Sequence, residues 1–122
     1  KETGVAMFAP AVGNVHGMLK SGHEPKLDIP LIKKIKAALG QAQGKPIPLV
    51  LHGASGNSDT DIRAAIKAGI TVIHINTDLR RAWREKLEQS LTSMPDEIAP
   101  YKLLQASEVV VYEVIKKKLA LY

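Results

Sequence analysis

The chain has no cysteine, which removes disulfides and thiolate metal sites together and fits a reduced, cytoplasmic setting. It also has no window of about 18 apolar residues, the minimum a membrane-spanning helix requires. The amino-terminal residues contain no positively charged stretch leading into an apolar one, so they do not read as a secretory signal. Aromatic residues are scarce, with one Phe, one Trp and three Tyr, which leaves few platforms on which bases could stack. The net charge of +5 does not reverse that reading. The basic residues are spread over helix-like segments, as in Lys33, Lys34 and Lys36, or Arg80, Arg81 and Arg84, and read as solvated faces. Neither a membrane nor a nucleic acid is expected as a partner. Finally, 122 residues suffice for one core but fall short of the roughly 200 that a complete (β/α)₈ barrel needs. The chain opens without Met and runs at once into an apolar stretch from Val5, as if continuing something longer.

Leu51 to Asp59 is the most informative stretch. It follows the apolar run Ile47 to Leu51, which is short and bounded by Pro48 and therefore reads as a buried parallel strand. His52 stands at the carboxyl end of that strand, where α/β proteins place their ligands. Gly53 and Gly56 allow a turn whose backbone N–H groups can close on an anion, helped by the amino terminus of the next helix. Ser58 with Asp61 is a capping box before the apolar pair Ile62 and Ile66.

The same strand-to-helix unit recurs three times. Gly4 to Ala9 reads as a buried strand ending in Pro10 to Gly17, and Met18 to Lys26 as a mobile loop over the strand ends. Asp28 caps a helix carrying Ile32, Ile35 and Leu39, which Gly40 should close. The second unit is the strand to Leu51 and a helix from Asp59 to about Ala68, closed by Gly69. Ile70 to Ile75 is rich in β-branched residues and forms the third strand, with Asn76, Thr77 and Asp78 at its end. A helix from about Leu79 to Leu91 follows, with Leu79, Ala82, Trp83, Leu87 and Leu91 as its apolar face. After a break at Ser93 to Pro100, a last helix over about Tyr101 to Ala120 packs through Leu104, Val111, Ile115 and Leu119. Parallel strands joined by right-handed crossovers are the expected skeleton.

His16 and His52 end successive strands about 4.8 Å apart, so they could share a cation or could serve as hydrogen-bonding or substrate-binding groups. His23 reads as solvated. His74, between Ile73 and Ile75, is either a satisfied core histidine or a residue touching substrate.

Three segments carry a resemblance: Gly13-Asn14-Val15-His16-Gly17, Leu49 to Gly56, and Ile73-His74-Ile75-Asn76-Thr77-Asp78-Leu79. In order and spacing they resemble the last three strand-end motifs of class II fructose-bisphosphate aldolases, metal-dependent (β/α)₈ barrels that cleave the C3–C4 bond of ketose 1,6-bisphosphates. The resemblance implies that His16 and His52 are Zn²⁺ ligands. It places Gly17 and Lys20 on one side of the dihydroxyacetone phosphate site, wraps Gly53, Ser55 and Gly56 around the phosphate, and closes the site with Asn76, Thr77 and Asp78. A monovalent cation beside the phosphate loop is a further expectation.

The departures are specific. No Asp-His dipeptide occurs in the chain, so the family's proton-transfer Asp and its neighbouring zinc-binding His are absent, as is the glutamate-bearing loop. His74 stands where the family commonly has Asn, and Ala54 where it often has Gly. The expected architecture is therefore the carboxyl-terminal three β-α units of a TIM barrel, strands six to eight plus a terminal helix, with residues 1–122 forming one partial domain. Its expected partners are a phosphorylated sugar, the missing amino-terminal barrel segment and further copies of itself. Tagatose 1,6-bisphosphate is a rival substrate, and a non-catalytic phosphate-binding half-barrel is a rival role.

Overall fold

The computed structural model of the chain describes residues 3–14, 26–43 and 47–122. They belong to two compact units, Lys1–Ile75 and Asn76–Tyr122. Among the described residues no helix is long and apolar enough to cross a membrane.

The first unit is built on two parallel strands, β1 (Leu49–Leu51) and β2 (Ile70–Ile73), with Leu51 opposite Ile73. The carbonyls of β1 explain its central place. Leu51 O accepts from His74 N on the β2 side, while Val50 N donates to Phe8 O on the other edge. β1 is buried throughout because its short apolar run has backbone partners on both sides. The expected first strand, Gly4 to Ala9, is reduced to one parallel bridge between Phe8 and Leu49. Its expected burial is not observed either: Val5, Met7 and Phe8 are exposed, Met7 at 56%. One edge pairs with β1, and the described residues provide no cover for the rest.

Helix α1 (Ile29–Gln43) starts where expected, with Asp28 Oδ1 accepting from Leu31 N at 2.8 Å. Gly40 does not close it. That residue lacks the left-handed backbone of a helix-ending glycine, so the helix continues to Gln43. Helix α2 (Asp59–Ala68) has both expected ends. Ser58 Oγ accepts from Asp61 N at 3.1 Å, and Gly69, at φ 120°, donates to Ala65 O and Ile66 O. Its inward stripe Ile62, Ala65 and Ala68 is buried, and Ile62 alone contributes about 1.5–3 kcal/mol by leaving water. The core joins these to Val12, Ile32, Leu49 and Leu51.

The second unit is a hairpin of α3 (Thr77–Ser93) and α4 (Pro100–Leu119). Before α4, Glu97 accepts hydrogen bonds from Ile98 N and Ala99 N and from Lys102 Nζ. The Lys102 bond, followed by the Ala99 one, holds its carboxyl below the usual range. The expected face of α3 is kept in part, with Leu79, Ala82 and Leu87 half-buried and Trp83 and Leu91 exposed. The expected face of α4 is rotated: Val111 is half-buried, but Leu104, Ile115 and Leu119 are exposed, Leu119 at 67%, whereas the covered stripe runs through Leu103, Ala106, Ser107, Val110 and Val114. Shifting by one residue turns the contact by about 100° on a helix, and small Ala106 and Ser107 give that side the close approach. Lys118 Nζ lies 2.9 Å from Asp78 Oδ2, joining the last turn of α4 to the first of α3.

Ser107 is fully buried, and its hydroxyl has no hydrogen-bond partner among the described residues. Ser107→Ala removes that unmet group and is expected to stabilise the chain by about 1 kcal/mol. Urea unfolding measures this, and a lower midpoint for the variant would show that the hydroxyl is satisfied.

Candidate functional site

Parallel pairing sets the site. Leu51 lies opposite Ile73, so the next residues on each strand, His52 and His74, emerge side by side at the carboxyl ends of β1 and β2. Residues opposite one another share a face of the sheet. The two Nδ1 atoms are 3.4 Å apart, and the rings meet edge to face with centroids at 4.4 Å and planes at 89°. His52 is half-buried and His74 exposed.

The end of the Phe8 segment reaches the same place. Asn14 Oδ1 accepts from Val12 N at 2.8 Å, which orients the amide, and Asn14 Nδ2 donates to His52 O at 3.0 Å. Asn14 thus ties one strand end to the backbone of the histidine on the next. Nearby, Val12 O accepts from Asp28 N at 2.9 Å. Gly13 has φ 92°, and a side chain there would collide with Lys26 O, so only glycine serves. Residues 14 and 26 are therefore anchored close to the core. Between them, His16, Gly17, Lys20 and His23, with most of the expected mobile loop, lie outside the described residues.

After His52, Gly53 takes the left-handed conformation at φ 66°, and Ala54–Gly56 make one tight turn in which Asn57 N donates to Ala54 O. A left-handed residue followed by right-handed ones makes the concave run of N–H groups that suits an anion. Ala54 is buried and is not among the positive-φ residues, so a methyl group fits where the resembling family often has Gly. The start of α2 follows directly, with Ser58 as its cap.

Asn76, Thr77 and Asp78 belong to the second unit. Asn76 precedes α3 and its carbonyl accepts from Arg80 N; Thr77 opens the helix. Asp78 is committed to the ion pair with Lys118, a tie that sequence spacing gave no means of finding. The second unit also carries an open trough of about 970 Å³, lined by Ala82, Lys86, Met94 and Val109 among others; it contains none of the residues expected to bind ligand.

His52 and His74 are neutral-imidazole donors suited to a cation such as Zn²⁺. Among the described residues no group of three or more His, Cys, Asp or Glu side chains is placed to hold one. Asn14 is the contributor that residue-by-residue reading passed over, and its place inside the Gly13-to-Gly17 motif was the available signal.

The profile described as "Fructose-bisphosphate aldolase class-II" matches residues 1–122. Solved structures similar to the chain include the YdjI aldolase of Escherichia coli K12, at 32% identity and a TM-score of 0.72 over 98% of this chain and 40% of that one. A candidate fructose-1,6-bisphosphate aldolase of Coccidioides immitis gives 23% identity and 0.76 over 98% and 39%. A fructose-bisphosphate aldolase of Campylobacter jejuni gives 23% and 0.69 over 94% and 39%. The chain thus spans about two fifths of the length of these neighbours.

Asn14→Ala frees the His52 backbone without touching its ring. In a cation site built on the His52 ring, loss of such an orienting partner is expected to weaken Zn²⁺ binding by about tenfold or more, measured by calorimetry. Unchanged affinity would show that the Asn14 tether does not position His52.

Proposed function

Because the chain belongs to the class II fructose-bisphosphate aldolase family, we propose that it is the carboxyl-terminal part of an aldolase barrel, in which it holds Zn²⁺ and the dihydroxyacetone phosphate half of fructose 1,6-bisphosphate. The observation that carries this reading is the junction of His52, beside His74, with the left-handed turn at Gly53. A cation donor and an anion cradle occur there in consecutive residues. The exposed Val5, Met7 and Phe8 support a barrel completed by preceding strands, since a strand with one partner leaves apolar surface that further strands would cover. Both compact units then belong to one partial domain, strands six to eight and the helices after them.

In this reading His16 and His52 hold the cation. The fit rests on His52, whose imidazole stands half-exposed at a strand end with its backbone fixed by Asn14. Zn²⁺ in such a site supplies Lewis-acid polarisation of the substrate ketone. The residues of the chain bind and orient. Gly53, Ser55 and Gly56 wrap the phosphate with backbone N–H groups, aided by the amino end of α2. Gly17 and Lys20 flank it. Asn76, Thr77 and Asp78 are assigned to substrate contact, as is His74. In the cleavage direction the C4 hydroxyl loses its proton as the C3–C4 bond breaks and C3 gains one. The proton-transfer Asp is assigned to the preceding part of the barrel, because the chain has no Asp-His pair. A monovalent cation near the phosphate turn, assembly into a homo-oligomer and a cytoplasmic location complete the proposal.

The test is turnover of fructose 1,6-bisphosphate. The 122 residues alone are expected to cleave it at background rate, whereas the barrel completed with its preceding segment cleaves it in a manner that a chelator abolishes and Zn²⁺ restores. Chelator-sensitive cleavage by the isolated chain would contradict the division of roles, and no cleavage by the completed barrel would contradict the activity.

A further inference from the structure

His74 is a titratable side chain at the strand ends whose part in the site is not settled by its place in a motif. Its backbone is fixed: His74 N donates to Leu51 O at 3.0 Å, which extends the pairing of β2 with β1 one residue past the strand. Its ring is directed by the same register to the face that carries the His52 ring. Two neutral imidazoles brought Nδ1 to Nδ1 present lone pairs to each other unless a proton or a cation lies between them.

Nitrogen donors usually approach their acceptors to about 2.7–3.2 Å, and the Nδ1 atoms stand farther apart, at 3.4 Å. Two imidazole nitrogens that each bind one tetrahedral Zn²⁺ at about 2.0–2.1 Å lie about 3.3–3.4 Å from one another. The observed distance, at the long limit of a hydrogen bond, matches that of two ligands of one cation. The perpendicular rings, with planes at 89°, avoid the stacking that would turn both nitrogens away from a shared point. The exposure of His74 leaves the site open to an incoming ion.

We propose that His74 is a direct ligand of the cation held by His52, with both rings using Nδ1. The inference rests on the cation-binding reading of the strand ends and goes beyond it, because His74 then meets the substrate through the shared cation rather than through a hydrogen bond of its own. Both imidazoles keep their protons on Nε2, and neither serves as a proton donor to the other.

The test compares full-length wild-type protein with His74→Asn and His74→Cys, titrated with Zn²⁺ by calorimetry and, after Co²⁺ substitution, examined by visible absorption and proton NMR. Loss of a direct ligand is expected to lower affinity by more than about 100-fold, the upper end for outer-shell partners. One paramagnetically shifted imidazole N–H signal should disappear in His74→Asn. His74→Cys, which supplies a thiolate at the same place, should recover binding and show a sulfur-to-cobalt charge-transfer band. Two results overturn the inference while leaving the site standing: an affinity unchanged in His74→Asn, or a weakened affinity with the same number of shifted N–H signals. Absence of Zn²⁺ binding by the wild-type protein overturns the cation reading itself, and the inference with it.

Discussion

The parallel pairing of Leu51 with Ile73 is the constraint on which the site depends. It makes β1 and β2 end at the same level, and the residue after each end is a histidine. A slip of one residue in that register would send one ring to the opposite face of the sheet. Burial guards against such a slip. β1 is buried along its whole length and Ile70 at the head of β2 is buried as well, so moving the strands would expose apolar side chains. Packing energy and site geometry are in this sense one quantity. The helices that flank the sheet serve the same end, since Ile32 of α1 and Ile62 of α2 are fully covered in the core beneath it.

The polar residues of the site are held by backbone rather than by one another. Asn14 grips the carbonyl of His52, Gly53 turns the chain left-handed, and Ser58 caps the helix that follows. Each holds a main-chain position within hydrogen-bonding or turn geometry, so the Gly53 turn and the imidazole beside it are fixed by the fold itself. Such preorganisation is what lets N–H dipoles act on an anion without first rearranging. The hairpin of α3 and α4 buries Ser90 and Ser107 and is tied by the Asp78–Lys118 ion pair.

Local chemistry was legible in the sequence where local chemistry decides the structure. Ser58 and Gly69 fixed both ends of α2, because a side-chain cap and a left-handed glycine act within a few residues. The strands at Leu49 and Ile70, and His52 at the end of the first, were legible for the same reason; the third strand was expected to run to Ile75 and stops at Ile73, which puts His74 just past its end. Gly40 misled because a glycine can be accommodated in a helix as well as end one, and its neighbours, not its identity, decide. The face of α3 was legible at Leu79, Ala82 and Leu87, whereas that of α4 was read one position off: apolar spacing favoured Leu104 and Ile115, but the covered side carries Ala106 and Ser107. The burial of Val5 to Ala9 was expected from composition, but burial needs a covering surface, which composition does not supply. The contact of His52 with His74 depends on strand register, a tertiary property invisible to spacing. His16, which spacing placed beside His52, lies outside the described residues.

The central claim is that the carboxyl ends of β1 and β2 are where this protein holds its cation. Anomalous scattering at the zinc edge from crystals of the full-length protein grown with Zn²⁺ locates the ion without reference to activity. The account predicts a strong peak about 2.0–2.1 Å from a ring nitrogen of His52, beside the Gly53 turn. A well-ordered His52 with no peak at that distance, or a fully occupied zinc at another place in the fold, would contradict it.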